Sequence, residues 1–246
     1  LVAAVAWGYT ASLPPMSGQT ADMPGMDMGG TANVASWSWV RASATFGMWS
    51  IMMVAMMLPA AAPIVLLHRR TASQGRAGAT PAPPTALLVL GYAIVWTAFA
   101  SVATGLQWLL SEAGLLSSSD ALSHKGAAGA VLIAAGLYQL TPFKQTCLRL
   151  CRSPVAFLMR HYRPGAVSAV RMGFAHGLYC LGCCWAAMAL LFVGGVMNLV
   201  WVAGLAIFIL VEKTMPFART FSVVAGLAAT AVGLYWLLSN MFGSSV

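Results

Sequence analysis

Charge is what this chain has least of. Only 7% of its 246 residues are Asp, Glu, Lys or Arg, against about 25% in an ordinary soluble domain. A soluble fold of this composition could not cover its own surface with polar groups. His and carboxylates are scarce too, with four His and five Asp plus Glu, which argues against a catalytic zinc site inside the apolar segments. No phosphate-binding loop or phosphorylation domain is visible in the sequence, which argues against an ATP-driven pump in this chain alone. The loops expected outside the membrane contain no cysteine, where a membrane thiol oxidoreductase would need a shuttle pair. No repeat of 20–50 residues occurs.

What the chain does have is long apolar runs, 60% hydrophobic residues overall. They predict an all-α, polytopic transmembrane bundle forming a single domain over 1–246. Six full spans are expected near 38–67, 85–110, 126–143, 172–195, 199–217 and 220–241, the first long enough for a tilt or a kink at Pro59. "LVAAVAWGYTA" begins in mid-run and reads as the end of a truncated first span, a signal-peptide remnant being the alternative. Residues 71–84 read as a flexible linker.

The net charge of +8 reports topology and calls for no nucleic acid. Eleven of the 13 Lys and Arg fall on alternate loops, which the positive-inside rule assigns to the cytoplasm. That orientation predicts a multi-pass protein with the 12–35 loop and the C-terminus outside. Residues 144–170, where Leu148, Leu150, Val155 and Phe157 alternate with arginines, read as an amphipathic connection on the inner lipid surface.

The chemistry-bearing residues are sulfur donors. In "GFAHGLYCLGCCWAAM", His176, Cys180, Cys184 and Met188 are four apart and Cys183 lies beside them, so one helical face carries them all. Thiolates and thioethers are soft donors suited to Cu(I) rather than to hard cations. In "MWSIMMVAMMLP", Met48, Met52 and Met56 form one row and Met53 and Met57 an adjacent one, at a depth similar to Cys183 and Cys184. In the outer loop, Met16, Met23, Met26 and Met28 lie near Asp22 and Asp27 as candidate copper collectors. In "TPFKQTCLRLC", Cys147 and Cys151 are one helical turn apart and form a candidate inner station, with Arg149 and Arg152 favouring thiolate. Met as apolar filler, buried inert cysteines and a disordered Met-rich loop are the bland alternatives. Glu212, at a membrane edge, is a functional candidate or an anchor paired with Lys213 or another basic neighbour.

Together "MWSIMMVAMMLP", "YQLTPFKQTCLRLCRSP", "GFAHGLYCLGCCWAAM" and "EKTMP" resemble the bacterial predicted metal-binding integral membrane proteins, domain-of-unknown-function family 2182, from about Phe46 to Pro216. The resemblance implies a polytopic membrane protein with a metal role and no established reaction. It implies Cys147, Cys151, Cys180, Cys183, Cys184 and the Met48–Met57 row as motif residues, and does not extend to the Met16–Met28 loop.

The leading expectation is therefore a protein that handles Cu(I) for transport, or for delivery to a copper-dependent enzyme in the same membrane. An accessory subunit of a larger membrane complex is the second. Its small-residue stripes, "GAAGAVLIAAG" and "AGLAATAVG", would pack on partners or within the chain. A thiol oxidoreductase using Cys180 and Cys183 is the third.

Overall fold

The computed structural model describes residues 38–74, 82–117, 119–163 and 165–243. Their elements are helices: α1 (Trp39–Gln74), α2 (Ala82–Glu112), α3 (Lys125–Leu140), α4 (Pro142–Arg152), α5 (Pro154–His161), α6 (Ala166–Ala189), α7 (Leu191–Gly194), α8 (Leu199–Thr214) and α9 (Ala218–Gly243). Among the described residues there is no strand beyond one isolated bridge, Leu116 to Leu122. The truncated span at 1–11 and the Met-rich loop lie outside the described residues. The 71–84 linker does so in part, since α1 runs to Gln74 and α2 begins at Ala82.

Four helical segments are long and apolar enough to cross a membrane: Trp39–Thr71, Thr85–Glu112, Ala166–Gly194 and Ala218–Phe242. A fifth arises if α3 and α4 count as one broken span. The expected spans at 126–143 and 199–217 correspond to helices of 16 residues each, α3 and α8. At 1.5 Å per residue each is roughly 24 Å long, short of the ~30 Å hydrocarbon core. The first helix runs past the expected end at 67, to Gln74, and contains both Pro59 and Pro63.

Two breaks shape the chain locally. α3 and α4 meet at 64°. Pro142 starts α4, and a proline confines the residue before it to extended backbone, as seen in Thr141 (φ −68°, ψ 144°). Thr141 then caps α4 by accepting the Lys144 N–H. Pro154 starts α5 and separates it from α4, here without a side-chain cap from Ser153.

Glycine decides which helices touch. Along α3 and α9, a Cβ on Gly129 would lie 2.8 Å from the Gly233 carbonyl, and one on Gly136 would lie 2.6 Å from the Gly226 carbonyl. The two small-residue stripes noted in the sequence are thus spent on each other, inside the chain. Between α2 and α6 the approach is closer still. A Cβ on Gly173 would lie 1.9 Å from the Leu88 carbonyl, and one on Gly91 2.1 Å from the Val170 carbonyl. α1 packs against α2, α5 and α8, while α4 packs against α6 and α8. The shared core runs from Trp49 and the buried methionines of α1 through Tyr92 and Trp96 to the cysteines of α6. Outward-facing Val102, Leu109, Leu234 and Tyr235 leave an apolar exterior, as lipid contact requires.

Candidate metal centre

The α6 face assembles as its spacing predicts: His176, Cys180, Cys183 and Cys184 are all buried. Cys180 is the midpoint of the 29-residue span Ala166–Gly194. Gly173 and Gly177 precede them on the same face and let α2 come close. That approach brings Tyr92, the neighbour of Gly91, onto the first thiol: its hydroxyl lies 3.1 Å from Cys180 Sγ and donates to the Met57 carbonyl at 3.1 Å. From α8, Lys213 Nζ donates to the same sulfur at 2.8 Å. Cys183 and Cys184 both donate to the Cys180 carbonyl, at 3.1 and 2.9 Å. The His176 ring lies against Tyr92 and Phe157, and its buried Nδ1 has no hydrogen-bond partner among the described residues.

The bend before α4 delivers the remaining sulfur. Cys151 packs against the core that holds Cys180 and Cys183 and interacts with both thiols. Cys147 is buried beside Gly182, its Sγ 3.0 Å from where a Cβ on that glycine would sit. A side chain there would push α4 away. The Tyr138 hydroxyl donates to the Gly182 carbonyl, tying α3 to the same turn. α4 is fixed to α8 by a buried ion pair, Lys144 Nζ to Glu212 Oε1 at 2.5 Å, which Ser222 supports at 2.6 Å. The Arg152 guanidinium adds a bond to the Met215 carbonyl.

All five cysteines are free and belong to one neighbourhood, drawn from two elements far apart in sequence. Cys147 and Cys151 therefore adjoin the α6 thiols rather than forming a separate inner station. Arg149 and Arg152 engage Thr146 and the Met215 carbonyl, and the cation that meets a thiol is Lys213. Glu212 does have a basic partner, which is Lys144. Met52, Met53, Met56 and Met57 are buried in the same core and Met48 is packed against it. Tyr92 is the bonded link between Met57 and Cys180. Met188 is buried but eight residues beyond Cys180, about 12 Å along the axis. Met16, Met23, Met26 and Met28 lie outside the described residues. Sequence reading did not single out Tyr92 or Lys144. Lys144 carried a signal as a charge in the cysteine motif, whereas nothing distinguishes Tyr92 from an ordinary span aromatic.

Chemically the donor types fit a soft cation: five thiols, an imidazole with an unpartnered nitrogen, and thioethers buried in the same core. Lys213 places a positive charge at Cys180, the sign that Cu(I) would bring. No three of His, Cys, Asp and Glu among the described residues are gathered at metal-binding distances. Cys183 and Cys184 would have to turn from the Cys180 carbonyl to bind an ion. A family model described as PpoB2, copper chaperone, matches residues 46–236, which contain every one of these groups. The chain belongs to the PpoB2 copper chaperone family. That membership joins the soft-donor chemistry to copper and to copper-using proteins as partners, and it suggests a non-enzymatic role. Neither the curated proteins nor the solved structures contain a match.

Proposed function

We propose that this PpoB2 protein takes up Cu(I) as cargo on Cys180, Cys183 and Cys184, with Cys147, Cys151 and His176 completing the donor set. It hands the ion to a copper-dependent enzyme or larger complex in the same membrane. The observation that supports this best is the meeting of the thiols of α4 and α6 at the middle of a span. A bare cation there would be costly, and sulfur exchange keeps it ligated throughout. Copper would arrive from the Met16–Met28 loop past Met48, Met52, Met53 and Met56. In this reading α3–α4 and α8 complete six spans, tilted or broken, in the bacterial inner membrane with the arginine-rich face inside. Arg152 meeting the Met215 carbonyl holds the ends of α4 and α8 together beside the thiols.

Copper quantitation on the reduced, purified full chain tests the proposal. Stoichiometric copper is expected in the parent protein and none in Cys180→Ser/Cys183→Ser/Cys184→Ser. Cys147→Ser/Cys151→Ser should weaken retention of the same ion. Full copper in the triple variant would sink the proposal. A reversible Cys180–Cys183 disulfide with bound quinone and no copper would replace it with redox chemistry. Absence of metal with co-purifying subunits would favour a structural role, for which the glycine stripes give no support since they are used internally.

A further inference from the structure

At the arginine-rich end of α6 lies a cavity of about 690 Å³, separate from the thiols. Its lining includes Arg160, His161, Arg163 and Arg171 and no carboxylate. Three guanidinium groups around one open space repel one another unless an anion is present. The chain has few to offer. Among the described residues the carboxylates are Glu112, Asp120 and Glu212. Glu212 is held by Lys144 and Ser222. Glu112 and Asp120 lie at the far end of α2 and in the loop after it, a full span away. The chain therefore cannot neutralise this cavity from its own described acids.

The surroundings are apolar and outward-facing. Val167, which lines the cavity, is exposed, as are Met159 beside Arg160 and Phe174 and Leu178 along the first turns of α6. A space with cations at the start of a membrane span and apolar side chains running from it along the span matches a molecule with an anionic head and acyl tails. Basic pockets at such positions hold lipid headgroups. The volume is ample for a glycerophosphate head. Guanidinium forks suit phosphate oxygens, which they bind in pairs.

We propose that this cavity binds the phosphate headgroup of an anionic membrane phospholipid, with Arg160, Arg163 and Arg171 as its charged contacts. The site is independent of copper. Bound lipid would tie the α5–α6 junction to the bilayer surface, one wall of which is the α5 helix that carries Phe157 against His176.

The full chain, purified in a neutral detergent, is titrated with dioleoyl phosphatidylglycerol or dioleoyl phosphatidylcholine, and retained lipid is counted by native mass spectrometry. Phosphatidylglycerol should be retained about tenfold or more in preference to phosphatidylcholine. Arg160→Gln/Arg163→Gln/Arg171→Gln should lose that preference, while Arg69→Gln/Arg219→Gln, which removes charge outside the cavity, should keep it. If the triple variant does not fold, each single substitution should lower retention on its own. Equal retention of the two lipids, or an equal loss in the two multiple variants, overturns the proposal. Competition by inorganic phosphate at equal concentration would assign the cavity to a soluble anion instead. Displacement by an acidic peptide would assign it to a protein partner.

Discussion

Replacing Gly173 by alanine adds one methyl group at the closest helix contact that positions the thiols. The new Cβ would lie 1.9 Å from the Leu88 carbonyl, about 1.5 Å inside the 3.4 Å at which ordinary contact begins. The obstacle is backbone on both sides, so no side chain can yield and α2 must move off α6. A shift of that size takes the Tyr92 hydroxyl from 3.1 Å to beyond hydrogen-bond reach of Cys180 Sγ. Overpacking of this kind costs roughly 1–3 kcal/mol, which lowers Tm by several degrees in a chain of this length. The control is Gly105→Ala, on the facing helix α2, where an added Cβ meets nothing within 4 Å. There the higher helix propensity of alanine should be neutral or stabilise by up to about 1 kcal/mol. Thermal unfolding in detergent, read alongside the number of cysteines alkylated by maleimide at a fixed time, tests both parts. Gly173→Ala should unfold earlier and expose more thiols. If the two variants melt together and protect the same cysteines, the glycine contact does not position the centre.

Other perturbations follow from single contacts. Glu212→Gln strands the buried Lys144 ammonium and should cost about 3–5 kcal/mol. Lys144→Met/Glu212→Gln should recover part of the loss, and a double variant no more stable than the single would refute the pairing. Trp49→Phe removes the indole donor that meets Gln107 Oε1 at 2.7 Å. The orphaned amide oxygen should cost about 1–3 kcal/mol by denaturant titration, and an unchanged midpoint would count against the bond. In the loop after α2, burial holds the Asp120 carboxyl above its ordinary range, against the opposing pull of Gln107 and Arg41. Its protonated form is therefore favoured by folding. The resulting stabilisation is fully present below the unfolded value near about 4 and is lost as pH rises through the higher folded value. Asp120→Asn should thus melt at or slightly above the parent at neutral pH, with the gap closing in acid. A variant less stable than the parent at pH 7 would show that the Arg41 attraction outweighs burial.

The helical nature of the chain and the shared face of His176, Cys180, Cys183 and Cys184 were legible because apolar length and a period of four are local properties. Pro142 acts locally too, through one dihedral of Thr141, yet the span expected at 126–143 runs through it. What a local pattern does not contain is the angle at which the chain leaves a break. Cys147 and Cys151 read as a surface pair because Arg149 between them and Arg152 after them signal water. The 64° bend and the Lys144–Glu212 pair carry their turn inward instead. The spans expected at 126–143 and 199–217 reach past α3 and α8 for a related reason. Hydropathy registers apolar residues in the flanking segments as well as in each 16-residue helix. Glycine stripes announced close packing without naming the partner helix. The position of Tyr92 depends on which glycines of α2 and α6 happen to face each other, a tertiary fact.

α8 contributes three successive attachments to this centre: Glu212 holds α4, Lys213 holds Cys180, and the Met215 carbonyl receives Arg152. They lie within a single helical turn, at the end of one short helix. Torque applied to that turn by a docking protein would loosen its hold on α4 and on Cys180 of α6 at once. The mechanical weak point of the sulfur cage is thus a helix that itself supplies no sulfur to it.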